Sequence, residues 1–250
     1  MVSISDDLLR ARLNDAVHLC DKYAYPHFIG FLDERQRAVL EPIVRKIPQI
    51  HPHFYGGYAL AERTFLGVFP SFYEVDETLF PFKAITFLYC EQEALCHRDV
   101  LGALLGLGIR REKIGDIRCF DGRTVVFAHE DVHTFILEQV TKIGRVGVKA
   151  CDGIIGELPQ AYQFKEIHLT VASARLDNIV KAVTSTAREK AAALIIGGMV
   201  AINHTPCESV CKSVCEGDIL SIRGHGRFRI DALSDTTKKG RLVLIAQKYI

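Results

Sequence analysis

No stretch of this 250-residue chain is a long hydrophobic run. None approaches the roughly 18 apolar residues that a membrane-spanning helix needs, so a membrane protein of that kind is not expected. The beginning also lacks the layout of a secretory leader, because Asp6 and Asp7 stand where Lys or Arg would. The 8 cysteines include no C-x2-C pair, and in a chain of this length they do not read as a disulfide scaffold. Reduced thiols in a cytoplasmic protein are the expectation, with no cofactor and no small-molecule substrate. The aromatic RNP signature of a base-stacking sheet is missing as well.

What is present is ordinary globular material, 48% hydrophobic and 24% charged, in a chain long enough for two or three domains. In residues 1–82, Leu9, Leu13, Val17 and Leu19 fall near helical spacing, as do Val39, Ile43 and Val44. Pro26, Pro42, Pro48, Pro52 and Pro70 cut this segment into short pieces, and Gly56-Gly57 predicts a turn into a strand over 58–66. A mostly helical α/β domain is expected there.

Residues 83–160 alternate their periods. Ala84–Cys90 reads as a strand and His97–Leu107 as a helix. Ile114–Phe120 and Thr124–Ala128 read as a hairpin about Asp121-Gly122. Asp131–Ile143 is again helical, and Arg145–Cys151 is a last strand. That order, βαββαβ, is the ferredoxin-like arrangement of RRM-like domains, and it says nothing of function by itself.

Residues 164–250 differ in charge. They hold 13 Lys plus Arg against 8 Asp plus Glu, a net of +5, whereas the preceding 163 residues hold 18 against 22, a net of −4. The neutral total of +1 conceals a basic domain joined to an acidic one, the electrostatic footprint of nucleic-acid binding. Leu176, Ile179, Val180 and Val183 form one apolar helical stripe, with Arg175 at its edge and Asp177 in its first turn. Thr186 and Glu189 predict a capping box for a second helix that carries Ala187, Ala191, Leu194 and Ile195 inward and ends at Gly197-Gly198. Strands follow at Val200–Asn203 and Ile219–Arg223, with turns at His204-Thr205-Pro206 and Glu216-Gly217-Asp218. Arg188 and Lys190 sit near the start of the second helix, where phosphate is favoured.

The run Arg175-Leu176-Asp177, Ala187-Arg188-Glu189-Lys190-Ala191, Leu194-Ile195, Gly198, Val200, Asn203 and Glu216-Gly217-Asp218 resembles the alpha-L RNA-binding motif of S-four-like domains, with a core over 173–223. The rest of the chain resembles the YlmH family. That likeness is carried by Phe31-Leu32-Asp33, Gly56-Gly57-Tyr58, Ala61-Glu62-Arg63, His97–Leu104, Leu107-Gly108-Ile109, Ile114-Gly115-Asp116-Ile117, Ile143-Gly144-Arg145-Val146 and Ser221-Ile222-Arg223-Gly224. Gly226-Arg227 and Thr237-Lys238-Lys239-Gly240-Arg241 extend it. The resemblance implies an α+β protein of three domains: N-terminal, RRM-like and S-four-like. It also implies a factor without catalytic activity that engages ribosomal RNA and peptidyl-tRNA at the large subunit of stalled ribosomes, in a family also associated with cell division and, in plastid-bearing lineages, with photosystem II. The chain departs from the family's usual residues at Ala187, Ala201 and His225. The missing cation at Ala201 weakens phosphate contact modestly.

Arg175, Arg188, Lys190, Lys212, Arg223, Arg227, Lys238, Lys239 and Arg241 are the expected phosphate contacts, positioning the RNA rather than reading bases. Asn203 is expected on backbone or sugar, or in a structural turn. A monomer is expected. Two other classes have some support in the residues. Arg175-Leu176-Asp177 also resembles the catalytic core motif of some pseudouridine synthases, but here Asn178-Ile179-Val180 continue it as a helix inside the small module. Cys207, Cys211 and Cys215, with His204 before them, suggest a metal or redox regulator, yet their spacing favours small buried or half-buried thiols. Glu93, His97 and Asp99 form no recognisable acid–base set, and His97 with Asp99 more simply caps a helix.

Overall fold

The computed structural model describes residues 6–158, 164–236 and 240–249, which fall into two compact units dividing at residue 160. Helices and antiparallel sheets alternate in both, in the mixed class expected. Among the described residues no helix is long and apolar enough to cross a membrane.

In the first unit, α1 (Asp6–Tyr23) opens with acidic residues that suit the helix dipole, and it buries Leu9, Leu13, Ala16 and Cys20 along one stripe. After β1 (His27–Leu32) comes α2 (Glu34–Val44), started by a reciprocal cap. Asp33 Oδ1 accepts from the Gln36 amide at 2.8 Å, and Gln36 Oε1 accepts from the Asp33 amide at 2.9 Å. β2 (Ile50–Tyr55) and β3 (Thr64–Pro70) complete a sheet in the order β1-β3-β2. The helices and a late strand follow the sequence pattern, whereas β1 and β2 do not. His51, Pro52 and His53 interrupt the apolar alternation of β2, which an edge strand tolerates. The expected strand over 58–66 starts only at Thr64. Every residue of β3 is buried because both its faces are covered. Leu66 and Val68 pack on α1 and α2, while Phe65 and Phe69 enter an aromatic layer on the other side.

Beyond that layer lies a second sheet. β4 (Phe82–Leu88), α3 (His97–Gly106), β5 (Ile114–Phe120), β6 (Arg123–His129), α4 (Glu130–Gln139) and β9 (Lys149–Asp152) follow the expected βαββαβ order, with a small hairpin of β7 (Lys142–Ile143) and β8 (Val146–Gly147) inserted. The strands lie as β5-β6-β4-β9, all neighbours antiparallel. α4 stops four residues short of its expected end at Ile143, since the chain turns into that hairpin. Ile85, Phe87 and Val126 face α3 and α4. Ala84, Phe120, Val125 and Phe127 face the other way, into the same aromatic layer as Phe31 and Phe65. Phe127 stacks on Tyr58 at 5.5 Å, and Phe31 meets Phe65 edge to face at 4.6 Å. Gly57 is required here: its φ is +96°, and a Cβ would lie 2.2 Å from the Phe127 ring.

A polar clamp closes the edge of this layer. Asp116 accepts from Tyr58 Oη at 2.8 Å and from the amides of Glu62 (2.8 Å) and Arg63 (3.0 Å). Arg63 in turn donates to the carbonyls of Ile114 and Phe31. Burial, then the Asp116 charge, pushes the Tyr58 hydroxyl well above its usual range.

The second unit begins with β10 (Phe164–Val171), α5 (Leu176–Thr184) and α6 (Arg188–Ile196). It continues through β11 (Val200–Ile202), β12 (Thr205–Pro206), β13 (Ile219–Ile222), β14 (Gly226–Thr236) and β15 (Leu242–Tyr249). One six-stranded sheet runs β10-β15-β14-β13-β11-β12. Its inner face (Leu220, Ile222, Phe228, Ile230, Leu244 and Ala246) packs on Leu176, Ile179, Val180, Ala191 and Ile195 of the helices. The predicted capping box is not formed. α6 starts at Arg188 with Ala187 at its N-cap, and the Thr186 hydroxyl meets that of Thr184 at 2.8 Å instead. The turn expected over 204–206 lies one residue earlier. Asn203 and His204 take φ of +47° and +67°, the pattern of a two-residue hairpin turn between β11 and β12.

Truncating the ring at the centre of the aromatic layer tests its weight. Phe127→Ala is expected to cost about 3–5 kcal/mol in urea unfolding. A loss under about 1 kcal/mol contradicts the packing described.

Candidate nucleic-acid interface

Asp177 organises the basic residues of the second unit. Its side chain is only 4% exposed, and it holds two guanidinium groups. Arg175 donates Nε to Oδ1 at 3.1 Å and Nη2 to Oδ2 at 3.2 Å. Arg188 donates Nε and Nη2 to Oδ2 at 3.0 and 2.8 Å. The arrangement follows from local structure: Arg175 is the N-cap of α5, Asp177 lies in its first turn, and Arg188 opens α6. Burial pushes the Asp177 carboxyl up, but the hydrogen bonds and charges of the two arginines overcome it and hold the group below the ordinary aspartate range. Hydrogen bonding to Asp177 also raises Arg175. The bridge fixes two flat cations in place while leaving both largely exposed (40% and 60%), the presentation that suits phosphate oxygens.

Lys212 joins them. Its carbonyl accepts from the Leu176 amide at 2.8 Å, and Ser213 bridges Arg175, which lays the 207–214 loop beside the start of α5 with the Lys212 side chain exposed. Lys190 is exposed on the first turn of α6. Arg223 and Arg227 stand apart. The Arg223 amide donates to the Met199 carbonyl, past the end of α6, about 13 Å along the helix from Arg188. Arg241 is exposed at the start of β15. Lys238 and Lys239 lie outside the described residues. Asn203 is committed within the protein: its Nδ2 donates to Asp218 Oδ1 at 2.8 Å and its Oδ1 accepts from the Ile219 amide at 2.9 Å. Its structural turn role is the one observed.

Asp177 faces two arginines and is closed to solvent, so the synthase-like motif presents no carboxylate to a substrate. The cysteine row lies on a loop. Cys207 packs at the core edge, whereas Cys211 and Cys215 are exposed, contrary to the buried or half-buried reading. No group of metal-ligating side chains forms among the described residues. Asp99 Oδ2 accepts from the Cys96 amide at 2.9 Å, capping α3.

In the first unit, the sheet face that an RRM-like domain offers to RNA is filled by protein. Phe31, Phe65 and Tyr58 cover Val125 and Phe127, and Arg123 lies over the Phe120 ring at 4.3 Å while donating to the carbonyls of Ile155 and Glu157.

Residues 80–153 match the family model described as "Putative RNA-binding domain in YlmH", which places the chain among proteins that carry an RNA-binding domain. The chain belongs to the YlmH family: over 213 residues, 84% of this chain and 82% of its relative, it is 32% identical to "Ribosome-associated protein quality control protein P2" of Bacillus subtilis (strain 168). Its fold is similar to that of "Cell division protein ylmH from Streptococcus pneumoniae", with a TM-score of 0.53 and 17% identity over 61% of this chain and 93% of that one.

In the sequence Asp177 reads as a dipole-favouring residue and as the end of the Arg175-Leu176-Asp177 motif, not as the anchor of two arginines. An acid two residues after Arg175, flanking the apolar stripe of Leu176, Ile179 and Val180, is the signal for its larger role. Its lowered folded value means the bridge contributes fully above the unfolded value of about 3.9, fading as pH falls through the folded one. Asp177→Asn is expected to lose about 1–3 kcal/mol in urea unfolding near neutrality, with the gap to the parent closing in acid. A gap independent of pH contradicts the bridge.

Proposed function

We propose that this protein is a cytoplasmic, non-enzymatic RNA-binding factor that acts on ribosomal RNA and tRNA, at the large subunit of stalled ribosomes carrying peptidyl-tRNA. The second unit serves as its alpha-L, S-four-like module, with the first unit divided near residue 82 into an N-terminal and an RRM-like domain. The observation that carries this reading is the cluster of Arg175, Arg188, Lys190 and Lys212 about the starts of two helices, with the arginines held in place by Asp177. Such a rigid cationic edge fits the phosphate geometry of structured RNA, which is recognised largely through shape and backbone. Ribosome quality control is supported by the name of the Bacillus relative.

The reading predicts a steep salt response. For a hairpin RNA, log affinity should fall against log salt by about 0.7–0.9 for each phosphate neutralised. Combining Lys190→Glu with Lys212→Glu should reduce that slope by roughly 1.5 and weaken binding regardless of RNA sequence. Arg188→Glu should weaken it too. A flat salt response, or full affinity in these variants, sinks the assignment.

A further inference from the structure

The outer face of the six-stranded sheet, turned away from α5 and α6, carries a second kind of surface. Phe228 and Ile230 point into the core, so Arg227 and Arg229 point outward. Phe164 lies directly opposite Tyr249 in register, and the two rings meet edge to face at 5.0 Å. Arg227 sits over the Tyr249 ring at 5.4 Å and Arg229 over the Phe164 ring at 5.0 Å. Phe164 stays 37% exposed, a large apolar ring at the surface of a basic unit. Arg229 donates to Asp231 at 2.7 Å, which neutralises it and leaves its flat guanidinium as a stacking plane.

Beside these rings, an open groove of about 470 Å³ is lined by Arg223, Arg227, Ser221 and the backbone of the β13–β14 turn. None of the described residues lining it is acidic. β13 is two strand spacings from β15, about 10 Å, so rings and groove lie within reach of one short stretch of nucleic acid. Glu166, on the same face, is paired with His168.

We propose that this face binds unpaired RNA nucleotides: bases stack on Phe164, Tyr249 and the arginine planes, and the backbone phosphates pass through the groove to Arg223 and Arg227. Aromatic faces stack any base, and a groove whose described lining is cationic takes phosphate, so the combination fits single strands rather than a duplex or a peptide. The proposal extends the reading that the second unit binds RNA. It adds a second, sequence-tolerant contact on the opposite side of the sheet from Asp177.

The test uses the full chain and fluorescence anisotropy with three RNAs: a blunt hairpin, the same hairpin with a single-stranded extension of about six nucleotides, and the extension alone. The extension should tighten binding of the parent at least severalfold. Tyr249→Leu and Phe164→Leu should each remove most of that gain or abolish it. Both should bind the blunt hairpin as the parent does, which also reports that they fold. Tyr249→Phe should retain the gain. An extension that adds nothing, or a gain that survives both leucine variants, overturns the proposal. Loss of hairpin binding with a Tyr249-dependent grip on the single strand would support it while sinking the earlier reading.

Discussion

A carboxylate buried at the first turn of α5 determines where two arginines stand. A lone buried charge is costly, so Asp177 is tolerable only because Arg175 and Arg188 solvate it. The same requirement works in reverse. Arginines on an open helix end would sample many rotamers, and tethering to Asp177 removes that freedom before any RNA arrives. α5 and α6 are thereby joined at their starts as well as through their apolar core of Leu176, Ile179, Ala191 and Ile195. The loop bearing Lys212 is fastened to the same point by the Leu176 amide. Stability and electrostatic presentation thus rest on one contact.

The first unit is built on a different constraint. Its βαββαβ sheet has apolar side chains on both faces, and the outer one is covered by the N-terminal sheet through Phe31, Phe65 and Tyr58. Asp116 and Arg63 pin that layer with hydrogen bonds to backbone from both sheets. A domain of the RNA-binding family type therefore has its sheet face occupied from within. RNA approaching this unit meets its helices, edges and loops instead. An exposed sheet face with aromatic and cationic side chains is found in the second unit, where Phe164 and Tyr249 pair.

Much of this was legible in the residues. The βαββαβ order, the stripe at Leu176, Ile179 and Val180, and the helix end at Gly197-Gly198 were set by local periodicity and turn chemistry, and these formed. β1 and β2 were not legible, because a strand buried against partners distant in sequence or interrupted by Pro52 has no local period to show. The capping box at Thr186 failed for a one-residue reason: α5 ends in a left-handed Ser185, and α6 then starts late. Charge counting found the basic unit and most of its cations. It could not pair Asp177 with Arg188, eleven positions on, or bring Phe164 beside Tyr249 from the two ends of the module. Those are tertiary facts.

The central claim is that the second unit grips RNA of the large ribosomal subunit through the cationic edge at Arg175, Arg188, Lys190 and Lys212. Sedimentation of cell extracts through a sucrose gradient after ultraviolet crosslinking tests it most directly. The account predicts that the protein travels with the large subunit and that crosslinked ribosomal RNA maps to peptides of the second unit. Protein that remains at the top of the gradient, or crosslinks confined to the first unit, contradicts it.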